Sequence, residues 1–128
     1  RLPDGRMSWL GSLASGIPGS QRIWHLQLVY DHDHPHNDSY GGSISVIPIE
    51  PDLREIAHQL GECIPHTLRD EGSGELSICT VDEGSFKAGD NHCSTAASSL
   101  AWAAKWIVAF ELWMLGEINT AQFAGHRI

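Results

Sequence analysis

Alternating apolar and polar positions in the first half of the chain predict a series of short strands. Met7–Leu13 and Ile23–Tyr30 alternate aromatic or aliphatic residues with polar ones, and Ser43–Ile49 is apolar in both registers. Glycine and proline interrupt this region at short intervals, which is typical of turns between antiparallel strands. The pattern therefore predicts three strands of an antiparallel meander, the third covered on both faces.

The periodicity becomes helical after Pro51. Leu53, Ile56 and Leu60 recur at helical spacing and Gly61 follows as a C-cap, so we predict a short amphipathic helix. The turn-rich segment 70–74 then leads into Glu75–Val81, which we predict to be a fourth strand.

The last third of the chain predicts one long helix. Ser94 or Thr95 can cap it, it runs through Leu115, and Gly116 ends it. Tryptophan and aliphatic residues occupy nearly all of its sides, which indicates a buried or covered helix. We expect at most one further helical turn in 117–128.

Length and composition predict one folded domain. The 128 residues, 41% hydrophobic and 19% charged, suit a single globular unit spanning 1–128.

The formal charge of −8 repels phosphate backbones and anionic lipid, so we expect no nucleic-acid partner. Lys105 and Glu111 interrupt the longest apolar stretch, which argues against a membrane span. Three cysteines without a CxxC pair favour a reducing cytoplasm.

Two groups of residues suggest alternative chemistries. His32, His34 and His36, with neighbouring carboxylates, resemble a set of zinc ligands, although such a loop is also common without a metal. Cys93 follows His92 at the predicted start of the long helix, where the helix dipole favours a thiolate. This arrangement would suit a cysteine hydrolase, but adjacent helical residues do not face each other, so the default interpretation is that Cys93 packs as a small side chain in the first turn.

Spacing alone favours inert roles for the other two cysteines. Cys63 has no evident activating neighbour, and Cys79 lies in an alternating strand pattern where a buried thiol is the default interpretation.

The order of the elements changes the interpretation of Cys79. The predicted elements follow one another in a definite order: a meander, a His34-Pro35 turn, a Pro65-His66 segment, a Gly-rich turn, a cysteine-bearing strand, an aromatic residue at Phe86 and a Trp-rich helix. This succession, from about Met7 to Gly116, resembles the ubiquitin-conjugating enzyme (UBC) fold and its bacterial relatives. The resemblance implies an α+β fold, with an antiparallel four-stranded meander, a short helix and a long C-terminal Trp-rich helix packed on it, and a further helix ahead of Arg1.

The resemblance also implies a function and its residues. Cys79 would accept a ubiquitin-like modifier from a ubiquitin-activating-like enzyme as a thioester and pass it to an amine of a target protein, with no cofactor. His66 matches the histidine of the family's His-Pro-Asn signature, which is mainly structural. Asp82 and His92 would orient or deprotonate the amine. Some bacterial relatives act in antiphage defence, and some are fused to their activating enzyme.

Three departures from the family pattern leave alternatives open. The signature asparagine, which steadies the active-site loop, is absent, and Thr67 is its nearest substitute. The connection from His66 to Cys79 is longer than usual. The family's glycine-to-cysteine spacing, counted from Gly74, would place the nucleophile at Ser77. A catalytically inactive scaffold of the same fold is therefore the main alternative to the transferase.

Overall fold

A computed structural model of the chain describes residues 2–30, 44–70, 72–79 and 96–125. These residues form five strands and three helices, as follows: β1 (Ser8–Leu13), β2 (Trp24–Tyr30), β3 (Ile44–Glu50), α1 (Leu53–Leu60), β4 (Thr67–Arg69), β5 (Leu76–Ile78), α2 (Ala96–Met114) and α3 (Thr120–Gly125). The class is α+β, as predicted.

The strands form one antiparallel sheet in the order β1-β2-β3-β5-β4. The predicted count of four strands is wrong, because β4 adds a fifth at the edge. Thr67–Arg69 is too short to show an alternation, and it is extended because it pairs with β5. The fourth predicted strand is real but shorter, since β5 covers only Leu76–Ile78.

The helix α1 begins and ends where the sequence predicts. The side chain of Asp52 accepts a hydrogen bond from the Arg54 amide, and Gly61 ends the helix at φ 70°. That left-handed conformation favours glycine because it has no Cβ. Leu53 is buried against the core, so a short amphipathic helix is confirmed between β3 and β4.

The core lies between the sheet and α2, and aromatic rings fill much of it. Trp24 of β2 meets Trp106 and Phe110 of α2 edge-on, with ring centroids 5.9 and 5.2 Å apart. Phe123 of α3 is fully buried and packs near Trp106 and Trp113. The long Trp-rich helix is thus confirmed as a packed core element, and the further helical turn after it is α3.

One buried carboxylate fixes the connection between β1 and β2. Glu111 of α2 accepts hydrogen bonds from the Ser15 and Ser20 hydroxyls and, at 3.0 Å, from Trp24 Nε1. Three donors on one carboxylate offset much of the cost of burying its charge. The sequence indicated only that Glu111 interrupts an apolar helix; its partners lie about 90 positions earlier in the chain and carry no signal of their own.

Candidate functional site

Cys79 lies directly after β5, at the end of the β4–β5 hairpin opposite its turn. Its side chain is half-buried, and its backbone amide donates a 2.9 Å hydrogen bond to the carbonyl oxygen of His66. The hairpin ladder therefore continues one residue beyond the strands and holds Cys79 beside His66. The predicted nucleophile and the predicted signature histidine are neighbours in space, although they are thirteen positions apart in the sequence.

His66 has an unusual backbone conformation that two contacts hold in place. Its φ is 58°, in the left-handed region, where a residue with a Cβ is strained. Its Nε2 donates a 2.9 Å hydrogen bond to the Phe123 carbonyl oxygen, and the two rings lie 5.9 Å apart. Because a carbonyl can only accept, Nε2 carries the hydrogen and cannot serve there as a proton acceptor. The two contacts with Phe123 therefore give His66 a structural role, and we call them the brace.

Two more hydrogen bonds fix the segment that precedes the hairpin. Trp106 Nε1 donates to the carbonyl oxygen of Pro65 at 3.2 Å, and the Thr67 hydroxyl donates to that of Ile64 at 2.8 Å. The Thr67 hydroxyl thus ties the segment back to its own main chain. Segment 64–67 is tied to α2, to α3 and to the residue that carries the thiol.

Ser77, the alternative nucleophile, occupies a different environment. It lies in the middle of β5, between the buried Leu76 and Ile78, so its side chain points to the sheet face away from the core. Its hydroxyl donates a long 3.5 Å hydrogen bond to the Leu68 carbonyl within the hairpin. A hydroxyl in the middle of a strand can be approached only from one face of the sheet. Cys79, in contrast, lies just beyond the end of its strand.

The hairpin turn is stabilised by Asp70. Its carboxylate accepts hydrogen bonds from the Ser73 hydroxyl, at 2.7 Å, and from the Ser73 amide, at 2.8 Å. These two bonds, helped by the charge of Arg6, hold the pKa of Asp70 below its usual value. Gly74 completes the turn at φ 76°. The turn sets the register that places Cys79 opposite His66.

Most of the other residues considered in the sequence analysis are not described by the structure. Asp82, His92, Cys93 and the histidines at positions 32, 34 and 36 lie outside the described residues. Within the described ranges, no group of three or more metal-binding side chains comes together. Cys63 is exposed on the loop after α1.

Sequence reasoning missed the brace that α3 supplies. Phe123 contributes its main-chain carbonyl, a group that every residue has, so no sequence pattern could identify it. Its ring is fully buried beside His66, and a single aromatic in a polar tail was the only signal.

These features define a small α+β sheet-and-helix protein with a cysteine at the end of a braced hairpin. The chain belongs to the family described as type II CBASS E2 protein, whose model matches residues 2–121. It is therefore an E2-like component of a bacterial antiphage conjugation system. No curated protein sequence matches the chain. None of the helices in the described part is long and apolar enough to span a membrane.

Proposed function

We propose that the protein carries a ubiquitin-like modifier as a thioester on Cys79 and transfers it to an amine of a target protein. The observation that carries this proposal is the juxtaposition of Cys79 and His66 at the end of the hairpin, with the Cys79 amide bonded to the His66 carbonyl. A carrier of an acyl group needs a reachable thiol on a fixed backbone more than a strongly lowered pKa. The half-buried Cys79 fits that requirement.

The chemistry consists of two acyl transfers. In loading, the Cys79 thiolate attacks the carbonyl carbon of the modifier's C-terminal thioester on an activating enzyme; a new C–S bond forms, and the activating enzyme's thiolate leaves. In transfer, the target amine attacks the same carbon, an amide bond forms, and the Cys79 thiolate leaves. The amine gives up a proton in this step, and Asp82 and His92 are the residues we propose to orient it or take that proton.

Membership in the E2 family supports the choice of partners. An E1-like activating enzyme would supply the modifier, and a target protein would receive it, within antiphage defence. The whole of 1–128 would then act as one conjugating domain, with His66 and Thr67 as the brace of its active-site loop.

Intact-mass analysis of the protein captured from its native host, at acidic pH without reductant, tests the proposal. We expect an adduct of small-protein size that thiols remove, that disappears in Cys79→Ala, and that persists in Ser77→Ala. Cys63→Ala is the matched control, because it removes an exposed thiol elsewhere on the surface. An adduct lost only in Ser77→Ala would move the nucleophile. Absence of any adduct while the activating enzyme is expressed would favour an inactive scaffold.

A further inference from the structure

A cleft of about 590 Å³ opens between α1 and the β4 edge of the sheet. Its apolar floor includes Ile64 and Leu76, and Arg54, His58 and Arg69 line it; we call it the α1–β4 cleft. Thr67 also lines the cleft, one residue from His66. The functional proposal above does not use it.

Charge in this cleft differs from that of the chain as a whole. The chain has 8 basic residues against 16 acidic ones, yet two arginines line the cleft and Glu62 is its one carboxylate among the described residues. Asp52 lies 3.6 Å from Arg54, but both side chains are largely exposed, so this ion pair is weak and leaves the guanidinium able to bind another anion. An acidic ligand therefore meets less repulsion in the cleft than the net charge of the chain would suggest.

Backbone groups at the edge of the sheet also face outward beside the cleft. On either side of β4, the Cys79 amide bonds to the His66 carbonyl and the Asp70 amide bonds to the Glu75 carbonyl. Counting from His66, every second residue of this segment therefore directs its backbone groups towards β5. In an antiparallel ladder the residues between them point their N–H and C=O groups away from the partner strand. Thr67 and Arg69 are those residues, and no described residue bonds to their backbone groups.

We propose that the α1–β4 cleft binds an extended acidic peptide segment of a protein partner. The segment adds to the sheet as a strand beside β4, bonded to the outward backbone groups of Thr67 and Arg69. Its acidic side chains on the helix side contact Arg54 and Arg69. Such a strand runs towards His66, and hence towards the hairpin end where Cys79 lies.

Fluorescence anisotropy with a labelled peptide of four Glu-Thr repeats tests the charge requirement. We expect saturable binding to the complete chain, weakened at least about tenfold by Arg54→Glu or Arg69→Glu and by a rise from low to high salt. Arg22→Glu is the matched control, because it makes the same charge change at an exposed position in the β1–β2 connection. A peptide of four Lys-Thr repeats is the charge-reversed control, and any binding of it to the acidic surface should not be weakened by Arg54→Glu or Arg69→Glu.

A second pair of variants tests strand addition. Arg69→Pro removes an outward N–H without touching the β5 ladder, and Arg69→Gln removes the same charge but keeps that N–H. We expect Arg69→Pro to bind the acidic peptide several-fold more weakly than Arg69→Gln, while the two have equal circular dichroism spectra. Protection of the Thr67 and Arg69 amides from hydrogen exchange on peptide binding would agree with this pairing.

Three results would overturn the proposal. One is the lack of saturable binding up to about 1 mM peptide, which corresponds to a binding free energy near −4 kcal/mol. The second is equal binding by Arg54→Glu, Arg69→Glu and Arg22→Glu. The third is complete displacement of the peptide by inorganic phosphate at equal concentration, which would make the cleft a simple anion site. Cys79→Ala should bind the peptide normally, so failure here is distinct from failure of the thioester proposal.

Discussion

The imidazole Nε2 of His66 and the main-chain carbonyl of Phe123 form a 2.9 Å hydrogen bond across 57 positions of sequence. This bond joins α3 to the residue whose own carbonyl holds the Cys79 amide. A short helix at the end of the described chain is therefore two hydrogen bonds away from the proposed nucleophile.

Removing the His66 side chain should destabilise the protein. We expect His66→Ala to lower the free energy of unfolding by about 1–3 kcal/mol, because the Phe123 carbonyl loses its donor. His66→Gly loses the same bond but relieves the left-handed backbone, so it should be about 1 kcal/mol more stable than His66→Ala. Urea unfolding of the three proteins measures both differences. Equal stability of the glycine and alanine variants would show that φ is not strained.

The Glu111 carboxylate should be one of the most sensitive positions outside the thiol site. Glu111→Ala leaves the buried Trp24 N–H and two hydroxyls without their acceptor, and we expect a loss of roughly 3 kcal/mol in urea unfolding. Glu117→Ala, an exposed carboxylate just beyond α2, is the control and should change stability by less than about 0.5 kcal/mol. A similar loss in both variants would contradict this account.

Ser99 presents the opposite case. Its hydroxyl is buried in α2, and within the described ranges it has no hydrogen-bond partner. Ser99→Ala removes an unsatisfied polar group and raises helix propensity, so we expect stabilisation of roughly 1 kcal/mol, read from thermal or urea unfolding. A destabilisation of the same size would reveal an acceptor for this hydroxyl.

Acid should weaken the hairpin turn through Asp70. Hydrogen bonds from Ser73 lower the pKa of Asp70 in the folded state, so its stabilising contribution is present above the ordinary pKa of an aspartate. That contribution disappears in acid, as pH falls through the lowered pKa of the folded state. The stability difference between the native protein and Asp70→Asn should therefore be largest near neutral pH and shrink in acid. A difference that does not change with pH would exclude the carboxylate charge as its source.

Local patterns predicted most of the fold correctly. The helix α1 follows from the helical spacing of Leu53, Ile56 and Leu60 and from Gly61 as its C-cap, all of them close together in sequence. The strand β4 could not be predicted, because three residues without alternation are extended only through pairing with β5. The limit is physical: an edge strand of this length is set by its neighbour and not by its own residues.

In the candidate site, too, the sequence indicates some of the residues but not the contacts that hold them. Cys79 and His66 can be selected only through the order of the elements and its resemblance to the ubiquitin-conjugating fold, because spacing alone favours an inert thiol at Cys79. The bonds that fix them come from Trp106 and from the main chain of Phe123, far away in sequence. These partners follow from the packing of α2 and α3, which no local pattern encodes.

The hydrogen bond from the Cys79 amide to His66 has a further consequence for acyl transfer. When the carbonyl carbon of a thioester is attacked, its oxygen becomes an oxyanion. Many enzymes stabilise that charge with the backbone amide of the nucleophilic residue itself. In this protein that N–H already belongs to the hairpin ladder. In the proposed transfer this negative charge would therefore be met by a donor other than the Cys79 amide, because the bond that holds Cys79 beside His66 already uses that N–H.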